Sequence, residues 1–148
     1  DSGMLTPEFT KRAASYGLWG IWSLFGQQLF SDMVDQTFDL GRVFYEMLVE
    51  APDFEPLHEP QCNIVAFQYV PDELRDAPGE QLNQFLLRLR RDLIRSGEYY
   101  IVQANIDGRQ ALRVTIINPL TTTDHLNGLL DAVRRTGRSI LESNIERT

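Results

Sequence analysis

The residue of this sequence with the clearest chemical potential is an arginine in the middle of a predicted strand. Alternation along residues 109–117 puts Leu112, Val114 and Ile116 on one face. Arg113 then lies on the opposite face. A guanidinium is costly to bury without a partner, but its planar fork of donors matches a carboxylate. The pattern therefore predicts either a carboxylate-binding residue or an exposed cross-strand salt bridge.

Other candidates for chemistry are weaker. The chain contains no glycine-rich phosphate loop, paired-cysteine metal site or nucleophile elbow. His58 is predicted in a turn and His125 in the first turn of a helix, where a solvated or capping role is typical. The single cysteine, Cys62, precedes a predicted buried strand and is expected to be a core thiol. These residues indicate neither a catalytic nor a metal site.

Composition narrows the function classes further. The 148 residues suit a globular chain without structural disulfides, and the net charge of −7 argues against a nucleic-acid surface. Lys11 is the only lysine among 14 basic residues. The most apolar stretch, residues 17–26 (GLWGIWSLFG), is too short to span a membrane, and no cleavage site follows it. We therefore expect no membrane partner, no signal peptide and a cytoplasmic location.

Periodicity predicts helices at the start, middle and end of the chain. Thr6-Pro7-Glu8 is a helix start, and the first helix is expected to stop at Gly26, with a second over residues 27–50. An amphipathic helix is predicted over 80–96. A last helix is predicted to begin with a capping box at Thr121 and Asp124 and to end at Gly137.

Short apolar runs between these helices predict strands over 54–57, 62–69, 99–106 and 109–117. The last two flank Asp107-Gly108, which indicates a tight hairpin. The order α-α-β-β-α-β-β-α predicts an α+β fold: a small, mostly antiparallel sheet with helices on one face, preceded by two helices. The expected organisation is a helical segment over residues 1–50 and an α+β domain over 51–148.

The first helix is apolar nearly all round, with Trp19 and Trp22 among its residues. Such a helix must be buried on all sides. We expect it to pack against protein outside this chain; the alternative is that both indoles lie in the core of this domain.

Four segments resemble, in order, the C-terminal region of the group II pyridoxal-phosphate-dependent decarboxylases. This family includes decarboxylases of aromatic amino acids, glutamate and diaminobutyrate. The segments are Lys11-Arg12 followed by Leu18-Trp19; residues 60–71 (PQCNIVAFQYVP); residues 93–102 (LIRSGEYYIV); and residues 112–119 (LRVTIINP) followed by Thr121 and Thr122. The ordered set, more than any one segment, carries the resemblance.

The resemblance implies a fold type I enzyme, a homodimer whose pyridoxal phosphate is held in a large domain preceding this region. There the family places its cofactor-binding lysine, which usually follows a histidine. Lys11 follows Thr10, so the resemblance assigns this chain no catalytic, cofactor-binding or metal-binding residue and no bound cofactor. It does imply that Arg113 holds the α-carboxylate of the amino-acid substrate and so orients the bond that breaks.

The expected function is thus the C-terminal domain of an amino-acid decarboxylase, a carboxy-lyase, inactive without its large domain. This domain would contribute carboxylate binding and domain or dimer packing. In the isolated chain, Arg113 is expected to be exposed or paired with a stray anion. The alternative is a stand-alone α+β module with a regulatory or protein-interaction role and no catalytic activity.

Overall fold

The protein, described here from a computed structural model, has three helices and four strands within residues 14–145. Their order along the chain is α1 (Ala14–Glu50), β1 (Phe54–Pro56), β2 (Ile64–Tyr69), a 3-10 turn (Asp72–Leu74), α2 (Gly79–Ser96), β3 (Val102–Ile106), β4 (Arg109–Thr115) and α3 (Thr123–Ile145). The predicted order of elements is confirmed, with the first two predicted helices joined in α1 and separated by a break at Gly26. The Thr6-Pro7-Glu8 start and Lys11 lie outside the described residues.

The four strands form one antiparallel sheet in the order β1-β2-β4-β3. Strands β3 and β4 are joined by Asp107 and Gly108, which have positive φ angles of 52° and 81°. Positive φ at both central residues is the geometry of a type I′ turn, whose twist matches that of the flanking strands. The predicted hairpin is confirmed, and it places Arg113 in a central strand of the sheet.

Helices cover one face of this sheet. Phe44 of α1 packs edge-on against Phe67, with ring centroids 5.5 Å apart, and Phe85 of α2 packs near Tyr69. The predicted apolar stripe of α3 is buried in the same core, at Leu126, Leu129, Leu130 and Val133. This arrangement confirms the α+β fold with helices on one face.

The chain divides into two compact units, one up to Val34 and one from Asp35 onward. The second half of α1 is in the unit that contains the sheet, since Phe44 and Leu48 are wholly buried in its core. The sequence prediction had instead placed residues 1–50 in a separate helical segment.

Within residues 14–34, α1 is interrupted at Gly26, whose φ of 70° and ψ of −172° are not helical. The predicted break at this glycine is therefore confirmed. Within this unit Trp19 and Trp22 are 63% and 49% exposed.

The prediction that α3 ends at Gly137 is wrong, because the helix continues to Ile145. Gly137 has another reason to be glycine. A β-carbon there would lie 2.5 Å from Cε1 of Tyr69 and 3.3 Å from Cζ of Phe85. The missing side chain allows α3 to approach the aromatic core; it does not mark a helix end.

The start of α3 also differs from the prediction. The capping hydroxyl belongs to Thr122, whose Oγ1 accepts a hydrogen bond from the backbone N–H of His125 at 3.4 Å. Thr121 is instead part of the preceding turn, in which its N–H donates to the carbonyl of Asn118. A hydroxyl three residues before the bonded N–H is the standard N-cap geometry, and adjacent threonines make the two positions hard to separate by sequence.

Candidate functional site

Arg113 lies on the sheet face opposite the helices. In the register of the sheet it pairs with Ala66 of β2 and Val102 of β3, whereas Leu112 pairs with the core residue Phe67. Directly paired residues of antiparallel strands share a face. The alternation predicted for this strand is therefore the one observed, and small or aliphatic side chains flank the guanidinium on both neighbouring strands.

Arg113 makes no ion pair. Among the arginines of residues 14–145, only Arg113 and Arg138 take part in neither a salt bridge nor a hydrogen bond through the side chain. Arg138 is exposed, whereas Arg113 is half-buried. The alternative role as a cross-strand salt bridge is thus not seen in the described part of the chain.

The guanidinium of Arg113 has one enclosed nitrogen. Its Nε is buried without a hydrogen-bond partner, and it is the one such side-chain atom in the described residues. An unsatisfied buried donor costs about 1–3 kcal/mol, so most buried donors have partners. The side chain is half-buried, so the expected full exposure is not observed; its pairing with an anion stays a prediction. Its two terminal nitrogens are not among the fully buried atoms without a partner.

A polar network lies on the same face, nearer the hairpin. Gln68 is 1% exposed, and its amide donates to the carbonyl of Gln110 at 2.7 Å and accepts from Arg109. Arg109 also pairs with Glu55 at 2.8 Å. Gln68 was not among the predicted site residues, although a glutamine inside the apolar run of β2 is a signal visible in the sequence. Gln68, Arg109 and Glu55 all have hydrogen-bond or ion-pair partners within this network. Arg113 is therefore the unpaired cation of this face.

The other predicted residues are not brought to this site. Nδ1 of His125 accepts a hydrogen bond from the N–H of Thr122 at 3.1 Å, as a capping residue does. His58 is exposed and contacts the carbonyl of Glu59. Cys62 is half-buried just before β2. Residues 14–145 contain no cluster of side chains able to hold a metal ion.

A cavity of about 1090 Å³ lies on the helical side, between α2 and α3. Charges of both signs line it, including Glu73, Arg91 and Glu142. Arg113 is not part of this cavity, and the mixed charges favour no particular ligand.

The described residues do not fit pyridoxal phosphate as a resident cofactor. Pyridoxal-phosphate enzymes hold the cofactor through a lysine Schiff base, and Lys11, the one lysine of the sequence, lies outside the described range.

Among residues 14–145, none of the helices has the length and hydropathy that a membrane span requires.

Comparison with known proteins identifies relatives along most of the chain, although no family model matches it. It is 26% identical to an aromatic-L-amino-acid decarboxylase from Bacillus atrophaeus over 119 residues, covering 80% of this chain and 24% of the relative. It is 27% identical to the L-2,4-diaminobutyrate decarboxylase of Acinetobacter baumannii over 84% of this chain and 24% of that protein. Human cysteine sulfinic acid decarboxylase is 27% identical over 95% of the chain and 30% of the enzyme. The chain therefore spans only about a quarter to a third of the curated relatives it matches.

Solved structures show the same relationship. Mouse CSAD in its apo form superposes with a TM-score of 0.79 at 26% identity, covering 93% of this chain and 30% of that one. The glutamate decarboxylase domain of a Vibrio parahaemolyticus protein gives 0.78 at 25% identity, over 88% of this chain and 27% of that one. Sequence and fold together relate this chain to one part of the group II pyridoxal-phosphate-dependent amino-acid decarboxylases, consistent with the C-terminal domain of that family.

Proposed function

We propose that this chain is the C-terminal domain of a pyridoxal-phosphate-dependent amino-acid decarboxylase, and that Arg113 binds the α-carboxylate of the substrate. The similarity to decarboxylases over 80–95% of the chain supports the first part. The half-buried, unpaired guanidinium supports the second.

The chemistry of Arg113 suits this role. A carboxylate accepts two parallel hydrogen bonds from a guanidinium, and such charge-assisted pairs are stronger than neutral ones. The terminal nitrogens offer this fork, and Ala66 and Val102, the residues paired with Arg113, offer no competing acid. Binding there fixes the orientation of the carboxylate that the reaction removes.

The rest of the reaction belongs to other parts of the polypeptide. Pyridoxal phosphate withdraws electrons from the substrate when bound, and in this proposal the residues that hold it lie in a large domain outside this chain. The 148-residue chain alone is accordingly expected to lack decarboxylase activity. We also propose that the whole enzyme is a cytoplasmic homodimer.

The decisive experiment replaces Arg113 in the longer polypeptide that carries this chain. Losing a charge-assisted pair in an enclosed site costs about 2–5 kcal/mol, so Arg113→Ala is expected to lower kcat/KM by roughly 30-fold to several thousand-fold. Arg113→Lys keeps the charge but loses the fork and is expected to remain impaired. Absorbance of the bound cofactor is expected to be unchanged in both variants.

Arg95→Ala is the matched control, since Arg95 is an exposed arginine of α2 whose nearest acid contact, with Asp92, is 3.9 Å long. Its kcat/KM is expected to equal that of the unchanged enzyme. Equal kcat/KM for Arg113→Ala and the unchanged enzyme would show that Arg113 does not bind substrate.

The second candidate function is a stand-alone regulatory or interaction module. The exposed tryptophans of α1 favour it, because a large exposed apolar patch typically marks an interaction site. The coding sequence upstream of residue 1 separates the two: a large domain with a His-Lys pair supports the decarboxylase, and a start codon immediately before Asp1 supports the module.

A further inference from the structure

The first turn of α3 is capped by a histidine. Nδ1 of His125 accepts a hydrogen bond from the backbone N–H of Thr122 at 3.1 Å, and Oγ1 of Thr122 accepts one from the N–H of His125 at 3.4 Å. A threonine and an acceptor three residues later form a capping box, in which the acceptor is usually glutamate or glutamine. An imidazole differs from both, because it takes up a proton between about pH 5 and 8.

The hydrogen bond from Thr122 requires the neutral imidazole. Nδ1 accepts only while its lone pair is free, so the ring proton must lie on Nε2. Protonation places a hydrogen on Nδ1, facing the N–H of Thr122. The hydroxyl of Thr122, 3.1 Å from the same nitrogen, can reverse its role and accept, but a backbone N–H cannot. A positive charge is also unfavourable at a helix N-terminus, where the macrodipole favours anions.

His58, the other histidine of the sequence, has the opposite arrangement. Its Nδ1 lies 3.1 Å from the carbonyl oxygen of Glu59. Because a carbonyl oxygen only accepts, this nitrogen carries a proton in the neutral ring and keeps it in the charged ring. Protonation therefore preserves the contact of His58 and removes that of His125.

The cap lies at the end of the connection between β4 and α3. The start of this connection is held by Asn63, whose carbonyl accepts from the N–H of Ile116 and whose side-chain amide donates to the carbonyl of Ile116, both at 2.9 Å. Between these two contacts, Ile117 and Leu120 are 76% and 78% exposed. An amide does not titrate, so a fall in pH loosens the α3 end of the connection and leaves the other end fixed.

We infer that His125 is a pH-sensitive cap, which orders the end of this connection when neutral and releases it when charged. Residues 116–122 contain no titratable side chain. Nearby titratable groups are Asp124 on α3, and Glu98 and Tyr99 on the segment that contacts this helix; α2, which packs on α3, adds arginines and carboxylates. Groups of these types keep nearly one charge state between about pH 5.5 and 7.5. The histidine is therefore the group that responds in this range.

Amide hydrogen exchange, measured by NMR on the 148-residue chain, tests the inference. The protection factor of the Thr122 amide, which corrects for the pH dependence of chemical exchange, is compared at about pH 7.5 and about pH 5.5. We expect it to be roughly 3- to 10-fold lower at the lower pH, as for the loss of a helix cap. The amide of Gln81, bonded to the carbonyl of Pro78 at 2.8 Å in the first turn of α2, is expected to change by less than about twofold.

Three variants separate the cap from other effects of pH. His125→Gln supplies an acceptor that does not titrate and is expected to keep the Thr122 amide protected at both pH values. His125→Ala removes the acceptor and is expected to give low protection at both. His58→Gln is expected to leave the loss intact. Equal protection at the two pH values in the unchanged chain overturns the inference, as does a loss that persists in His125→Gln or disappears in His58→Gln.

Discussion

Arg134 of α3 holds Asp53 through two hydrogen bonds, from Nε to Oδ2 at 2.7 Å and from Nη2 to Oδ1 at 2.8 Å. The two residues are 81 positions apart, and both side chains are about three-quarters buried. The same guanidinium lies over the ring of Phe54, 5.0 Å from its centroid. This pair fixes the last helix to the first strand of the sheet.

Removing this pair is expected to destabilise the domain. Arg134→Ala leaves a partly buried carboxylate without its partner, which is expected to lower the free energy of unfolding by about 1.5–3 kcal/mol. The control is Arg135→Ala, on the same helix, whose pair with Glu98 is about half-exposed and is expected to contribute under about 1 kcal/mol. Urea unfolding measures both, and equal losses would contradict the assignment.

The pair also predicts a pH dependence. Its hydrogen bonds from Arg134 hold the pKa of Asp53 below the ordinary value of 3.8. A lowered folded-state pKa contributes stability that is present above about pH 4 and is lost as the pH falls through the folded pKa. The stability difference between the unchanged protein and Asp53→Asn is therefore expected to stay constant from pH 7 to 5 and to shrink below pH 4. A difference at pH 3 as large as at pH 7 would exclude this linkage.

Gly137→Ala is expected to destabilise the domain although alanine favours helices. At an open helical position the change from glycine stabilises by up to about 1 kcal/mol. Here the new methyl group collides with the buried ring of Tyr69, and overpacking costs about 1–3 kcal/mol. Gly79→Ala, at the start of α2 with no atom within 4 Å of the added group, is expected to be neutral or stabilising. Thermal unfolding of the two variants compares them directly.

Asn83 of α2 is expected to hold the hairpin in place. Its side chain donates to the carbonyl of Gly108 at 3.0 Å and accepts from the N–H of Gln110 at 2.8 Å. Asn83→Ala is expected to cost about 1–2 kcal/mol and to speed amide exchange at Gln110. Gln84→Ala, one residue further along and exposed, is the control. Unchanged exchange at Gln110 in Asn83→Ala would show that the hairpin does not depend on this residue.

The sequence by itself determined the order of elements and the side of the strand on which Arg113 lies. These features are local: the apolar period separates helices from strands, and the Asp107-Gly108 pair requires the positive φ angles that only a few residues adopt readily. The break predicted at Gly26 is also local, since it depends on the backbone conformation of that one residue, which is non-helical.

Only the tertiary structure decided the features that depend on a neighbour distant in sequence. Gly137 has the same local signature as a helix end, and what distinguishes it is the ring of Tyr69, 68 residues away along the chain. The pairing of Arg134 with Asp53 and the burial of Gln68 arise in the same way, from partners that the fold brings together. The sequence pattern placed Arg113 on its face of the strand, but its lack of a partner is a property of the assembled sheet, because it depends on Ala66 and Val102 being the residues opposite.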